Sequence, residues 1–293
     1  MRGGGRDVGE GHDAGDPRET GGTGETPPTR TFRVTVSYDG TDFFGWQVQP
    51  GRRTVQGLIE KAIEATTGER PRVTGAGRTD SGVHALGQVA SFDLATRLAP
   101  ATLERALNAT LPRDVALRDL AEAPPGWNAR YRAASRVYVY RIARRRSPLL
   151  RRTAWEMWAA LDLDRVRAAS EDLLGEHDMS AFAAAPPAGK SGVVRLLRAA
   201  WRDGEGLLLA EFEADRFLRG MVRRVVGTLV EVGRGRRAPE DVARIIGSRD
   251  RAQAGPSAPA RGLCLVAVRY PEEASNPRDN PSEVPRDFPR LFD

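Results

Sequence analysis

Arg72-Val73-Thr74-Gly75-Ala76-Gly77-Arg78-Thr79-Asp80-Ser81-Gly82-Val83-His84-Ala85-Leu86-Gly87-Gln88-Val89-Ala90-Ser91-Phe92 holds two strand-like ends, 72–77 and 88–92, around a polar, glycine-rich centre. Upstream, Phe32 to Tyr38 alternates apolar and polar residues and predicts a strand. Thr54 to Thr67 places Val55, Leu58, Ile59, Ala62 and Ile63 at helical spacing and stops at Gly68. Downstream, Pro100 to Leu111 predicts a helix and Val115 to Leu120 a strand. The order is β-α-β-β-α-β, the ferredoxin-like split unit. The loop joining its two middle strands is too polar and too rich in glycine to be core. Glycine tolerates positive φ and close backbone approach, so such a loop can hold one carboxylate, Asp80, at the mouth of a cleft.

The second half repeats the theme. Arg136 to Ala143 alternates as a strand, and Ala154 to Ala159 adds a short one. Leu163 to Leu174 predicts a helix. Val193 to Trp201 and Leu207 to Ala214 predict a hairpin around Asp203-Gly204-Glu205-Gly206. Phe217 to Val232 predicts a long amphipathic helix, which would line up Arg216, Arg219 and Arg223 on one face at i, i+3 and i+7. Pro239 to Ile246 follows as a shorter helix, and Leu263 to Tyr270 as the closing strand. The expected organisation is a disordered extension over 1–30, ferredoxin-like halves over 31–134 and 135–271, and a Pro-rich polar tail over 272–293.

The chain carries a net +6 with a pI near 10.0. Residues 1–30 carry four Arg against six acids, and residues 271–293 three Arg against six acids, so residues 31–270 carry +11. A core this basic suits a polyanionic partner, most commonly nucleic acid. Arg144, Arg145, Arg146, Arg151 and Arg152 form the densest basic cluster. Lys61 and Lys190 are the only lysines, and Arg suits bidentate phosphate recognition. Cys264 is the sole cysteine, which excludes an internal disulfide and, with three His, a zinc cluster. It sits in an apolar run and reads as a buried strand residue. No stretch has membrane-spanning length and there is no signal-peptide pattern, so the cytoplasm is the expected location. Two cofactor motifs fail. Gly75-x-Gly77 lacks the third glycine of a dinucleotide fingerprint, where Asp80 stands, and Gly189-Lys190-Ser191 lacks the opening glycine of a P-loop, where Ala184 stands.

The segment Gly75 to Val89 resembles the signature of the tRNA pseudouridine synthase A family, in which the Asp of Arg-Thr-Asp is catalytic. Other segments match in order: Ser37-Tyr38-Asp39-Gly40-Thr41-Asp42-Phe43-Phe44-Gly45-Trp46-Gln47, Thr54-Val55-Gln56-Gly57, Asn108 to Pro112, Asn128-Ala129-Arg130, Met221 to Gly227, and Gly262 to Val268. The resemblance covers roughly residues 31–271. Ser81 stands where many relatives carry Lys, and Ala183 to Gly192 is short against the family. The resemblance implies an α+β fold, with the two halves forming one mainly antiparallel sheet, helices on one side and a catalytic cleft between them. It implies a cofactor-free isomerase, a tRNA pseudouridine(38–40) synthase, acting on uridines of the tRNA anticodon stem-loop as a homodimer. It assigns Asp80 as the catalytic carboxylate. Arg78 contacts the flipped-out nucleotide, Tyr138 stacks on or hydrogen-bonds the uracil, and Arg223 pairs with Asp80 and keeps it ionised.

Two other readings compete. A non-catalytic RNA-binding module of RRM type shares the β-α-β-β-α-β order, but the aromatic K/R-G-F/Y-G/A-F run is missing. A glycosidase-like hydrolase built on Asp80 needs a second carboxylate as acid, for which Asp39 and Asp42 are the candidates.

Overall fold

The computed structural model describes residues 27–184, 191–204 and 206–271. Of the extension expected to be disordered over 1–30, residues 1–26 lie outside these residues, as do the tail from 272, the Gly189-Lys190 echo and Glu205 of the predicted hairpin turn, whereas Thr29 and Arg30 are not disordered but pair with Ala95 and Leu94 in the first strand.

Strand β1 (Thr29–Tyr38) begins three residues before the predicted Phe32 and buries alternate side chains, Phe32, Val34, Val36 and Tyr38. Helix α1 (Val55–Thr67) buries Val55, Ile59, Ala62 and Ile63 on one face. Strand β2 (Thr74–Gly75) is shorter than predicted, and β3 (His84–Ala95) is longer. Helix α2 (Pro100–Thr110) buries Leu103 and Leu107, and β4 (Val115–Ala123) completes the first unit. Phe32 and Phe92 are register partners across β1 and β3, and their rings stack at 5.6 Å.

A short turn of helix, α3 (Ala129–Arg132), leads into β5 (Ser135–Ala143), all nine residues of which are buried. Strand β6 (Trp155–Glu156), helix α4 (Leu163–Glu171), and strands β7 (Gly175–Asp178), β8 (Val193–Asp203) and β9 (Leu207–Ala214) follow. Helices α5 (Met221–Gly233) and α6 (Asp241–Ser248) precede the closing strand β10 (Leu263–Arg269). Neither α3 nor β7 shows a clear periodicity, because each is only four residues long.

The strands form one mixed, mainly antiparallel sheet in the order β4-β1-β3-β10-β5-β9-β8-β7, with β2 on β3 and β6 on β5. Both halves carry the ferredoxin-like pattern, β4-β1-β3-β2 and β10-β5-β9-β8. Helix α1 packs against α2, and α4 against α5 and α6. The last strand among the described residues joins the halves: β10 is antiparallel to β5 and parallel to β3.

This junction positions the loop. One edge of β3 is shared by two strands. β2 pairs with it at Ala90 and Ser91, and β10 pairs at His84 and Ala85. The segment 76–83 therefore leaves the sheet where the halves meet. Gly87 permits the meeting, since a Cβ there would lie 2.3 Å from the Val266 carbonyl oxygen.

One expectation is corrected. Helix α5 starts at Met221, after Gly220 in the left-handed region at φ 73°, so Arg216 and Arg219 precede it. They do not share a helical face with Arg223. The Arg216 guanidinium instead donates to the Val193 carbonyl through Nε at 2.9 Å.

Candidate active site

The 76–83 loop is held from below by the 38–47 segment. The Trp46 amide donates to the Thr79 carbonyl at 3.1 Å, and the Phe43 carbonyl accepts from the Gly82 amide at 3.3 Å and from Ser81 Oγ at 3.0 Å. Tyr38 and Thr79 share a hydroxyl–hydroxyl hydrogen bond of 2.8 Å. Gly45 has φ 85°, and a Cβ there would stand 2.6 Å from the Thr79 carbonyl oxygen. Only a glycine lets that chain run flat under the loop.

From the β3 side, the fully buried Gln88 acts as a substitute strand partner. Its Nε2 donates to the Gly77 carbonyl at 2.9 Å, and its Oε1 accepts from the Gly77 amide at 3.3 Å. The Ala76 amide donates to the Val89 carbonyl at 2.8 Å, and the Val83 amide to the Asp80 carbonyl at 3.2 Å. Asp80 is half-buried in this braced loop, and Arg78 is exposed on it. A loop fixed through so many backbone bonds presents its carboxylate with little reorganisation, which is what chemistry at a defined atom needs.

The second half closes on the loop through β5. Arg136 is buried, and its guanidinium makes five hydrogen bonds to four backbone carbonyls. Nε and Nη2 donate to Ala76 at 3.2 and 2.8 Å, and Nη2 also donates to Arg130 at 2.9 Å. Nη1 donates to Ala133 at 3.2 Å and to Asp215 at 2.7 Å. Burial pulls the Arg136 pKa down from its ordinary value. One cation thus ties the root of the Asp80 loop to the α3 turn and to the end of β9.

Tyr138 lies two residues on, on the same face of β5. It is buried, with Phe217 edge-on at a centroid distance of 5.1 Å. A Cβ on Gly77 would stand 3.9 Å from the Tyr138 hydroxyl. Burial, and then the nearby Asp80 charge, push the Tyr138 hydroxyl pKa up, so it stays protonated at neutral pH. Asp80 and Tyr138, from opposite halves, are therefore brought together. Tyr140 is packing: its hydroxyl donates to the Pro259 carbonyl at 2.7 Å and its ring meets Trp155 edge-on.

Arg223, in the first turn of α5, donates from Nε to the Ala258 carbonyl at 2.8 Å. Its charge is felt at the Tyr140 hydroxyl. The expected Arg223–Asp80 ion pair is not formed among the described residues, because the guanidinium is turned to the Ala258 carbonyl. His84 is a buried strand residue whose Nε2 donates to the Arg152 carbonyl at 2.9 Å, and Cys264 is buried beside it on β10. Arg144, Arg145, Arg146, Arg151 and Arg152 are all exposed. Arg144 pairs with Asp203 at 3.1 Å, and Arg152 lies near Asp39 and Asp42.

Sequence reasoning did not single out Arg136 or Gln88. Both left a signal, a polar long side chain inside an apolar strand. The acceptors they satisfy lie 60 and 11 residues away, so the pairing was not legible.

The model of the family described as tRNA pseudouridine synthase matches residues 34–132 and 169–271, the two stretches that carry the loop and the closing sheet. The chain is 44% identical over 244 residues to the tRNA pseudouridine synthase A of Geotalea uraniireducens, covering 82% of this chain and all of that one. It is 46% identical over 248 residues to that of Chloroflexus aurantiacus, covering 83% of this chain and 89% of the relative. It is 43% identical over 242 residues to that of Myxococcus xanthus, covering 81% and 91%. A family-model match over more than half of the chain, with identity at this level over more than four fifths of it, shows that the chain belongs to the tRNA pseudouridine synthase family.

Proposed function

We propose that this chain isomerises uridine to pseudouridine in the anticodon stem-loop of tRNA, at positions 38–40, with Asp80 as the catalytic carboxylate. The observation that carries the reading is the braced Asp80 loop facing Tyr138 across the junction of the halves. The bond between uracil N1 and the sugar carbon breaks, and a bond from uracil C5 to that carbon forms. The C5 proton leaves to solvent and N1 takes one up, so the product is an isomer and no redox or group-transfer partner enters. Asp80 supplies the nucleophile or base for this exchange. Tyr138, kept protonated, faces the uracil with its ring and offers its hydroxyl for hydrogen bonding or proton relay. Arg78, exposed on the same loop, holds the extruded nucleotide through phosphate. Arg223, whose Nε is engaged by the Ala258 carbonyl in this structure, is the basic partner that the family pattern gives to Asp80. The family resemblance supports the last two roles, and also a cytoplasmic homodimer with 31–134 and 135–271 as the walls of the cleft.

The hydrolase reading is weaker on structural grounds. Asp39 accepts from the Thr41 amide at 3.0 Å and its hydroxyl at 2.6 Å, and lies 3.2 Å from His84 Nδ1. The His84 contact leads in holding the Asp39 carboxyl well below the usual carboxylate range. A general acid must carry a proton at neutral pH, and Asp39 does not.

The test is release of tritium from tRNA labelled at uracil C5. The parent chain should release it, and Asp80→Asn should bind tRNA with unchanged affinity yet release none. Turnover in Asp80→Asn within about tenfold of the parent would remove Asp80 from the chemistry. Tyr138→Phe keeps the ring and should lower turnover with tRNA affinity nearly unchanged. Equal turnover in Tyr138→Phe and parent would assign Tyr138 to packing alone.

A further inference from the structure

The α3 turn carries an aromatic side chain that its own fold does not use. Tyr131 is 81% exposed, the most exposed large apolar side chain among the described residues. The backbone beneath it is rigidly held. The Asn128 side chain caps the turn by accepting from the Arg130 and Tyr131 amides at 3.0 and 3.3 Å. The Ala129 amide donates to Ser91 Oγ at 3.0 Å, and the Ala129 carbonyl accepts from the Tyr270 hydroxyl at 2.8 Å. The Arg130 carbonyl is held by Arg136, the same guanidinium that holds Ala76 at the root of the Asp80 loop.

Charge surrounds the ring. Arg130 and Arg132 flank it and are exposed, and the Arg130 guanidinium lies 5.9 Å from the Tyr131 centroid. The three backbone segments that Arg136 gathers each bear an exposed arginine: Arg78 on the loop, Arg130 on the turn, and Arg216 after Asp215. An exposed aromatic ring on a pinned turn, beside a guanidinium and tied through Arg136 to the root of the Asp80 loop, in a chain of net positive charge, is complementary to a base on a phosphate chain.

We propose that Tyr131 is a stacking platform for an unpaired nucleobase of the RNA substrate next to the reacting uridine, with Arg130 backing the ring and contacting phosphate. This rests on the RNA-substrate reading above. The rigid turn lowers the ordering cost of binding, so the ring contributes to affinity and not to the chemical step.

The experiment measures Kd for a tRNA anticodon stem-loop hairpin, and kcat at saturating tRNA, in the full chain. Tyr131→Ala should raise Kd about 5- to 150-fold, the range for losing one stacked base, while kcat stays within about twofold. Tyr131→Phe keeps the ring face and should restore Kd to within about twofold of the parent. Arg130→Ala should weaken binding and flatten its salt dependence. An unchanged Kd in Tyr131→Ala overturns the proposal. So does a weaker Kd that only tracks dissociation of a chain–chain assembly in sedimentation, because the ring would then be a protein contact. A parent that releases no tritium, with Tyr131-dependent RNA binding intact, refutes the enzymatic reading and supports the platform.

Discussion

Replacing Arg136 with Met keeps most of the buried side-chain volume and removes all five hydrogen bonds. Hydrogen bonds from a charged donor contribute about 1.5–3 kcal/mol each, so four acceptors would suggest an effect of roughly 6–12 kcal/mol. That sum overshoots, for two reasons. Burying the guanidinium already costs several kcal/mol, which the substitution recovers. The carbonyls of Arg130 and Asp215 belong to exposed residues, so water replaces their lost donors. Ala76 is only 2% exposed, and its carbonyl is left without a donor at a cost of about 1–3 kcal/mol. Adding about 1 kcal/mol for the remaining net loss gives an expected destabilisation of about 2–4 kcal/mol by urea unfolding.

The catalytic effect should be larger than this stability loss implies. Ala76 opens the loop that carries Asp80, and its tether to the second half runs through Arg136. A shift of about 1 Å at the carboxylate lowers turnover on the order of 100-fold. Tritium release under single turnover should therefore show kcat falling much more than KM rises. Arg136→Lys should recover part of the stability but little of kcat, because one ammonium has no planar fork to span four carbonyls. A Met variant that loses less than about 1 kcal/mol and keeps kcat within about threefold would refute the argument that this side chain positions the loop.

Replacing Arg145, Arg146 and Arg151 together with Ala should flatten the slope of log affinity against log salt by roughly one unit per lost phosphate contact, measured by filter binding. Arg144 and Arg152 should contribute less, since Asp203, Asp39 and Asp42 already lie against them. Alkaline stability follows from three buried tyrosines. Tyr38, Tyr138 and Tyr140 have hydroxyl pKa values raised, chiefly by burial, above the ordinary 10.0. A raised pKa means the folded chain keeps protons that the unfolded chain loses, so stability is full below pH 10 and falls above it. Three such groups predict a loss approaching ~4 kcal/mol per pH unit, read as a falling urea midpoint between pH 10 and 12. Tyr38→Phe should lessen that slope by about a third, and an unchanged slope would show the tyrosines are not its origin.

Much of the fold was legible because it rests on local regularities. Val55, Ile59, Ala62 and Ile63 mark α1 by spacing alone, and the structure places that helix at Val55–Thr67. The alternation of Phe32 to Tyr38 marks β1 in the same way. The long helix was placed too early because Phe217 and Leu218 extend its apolar pattern, whereas Gly220 adopts a left-handed backbone that breaks it. Asp80 was legible as a candidate because a carboxylate in a glycine-rich loop is locally conspicuous. Arg136 and Gln88 were not, because a polar residue in a strand does not reveal which carbonyl it will satisfy.

The amino-acid sequence by itself determined the order of elements, the basic core, the polar loop around Asp80 and the family resemblance. Each is written in neighbouring residues, through spacing, charge and glycine placement. Only the tertiary structure decided that β10 enters the middle of the sheet, parallel to β3 and beside β5. That choice brings Tyr138 to Asp80 and puts Arg136 beneath the loop, across about 60 residues of chain. The reason is physical. Strand pairing satisfies any compatible edge, and a buried guanidinium any convergent set of carbonyls, so the partners are selected by the packing of the whole chain.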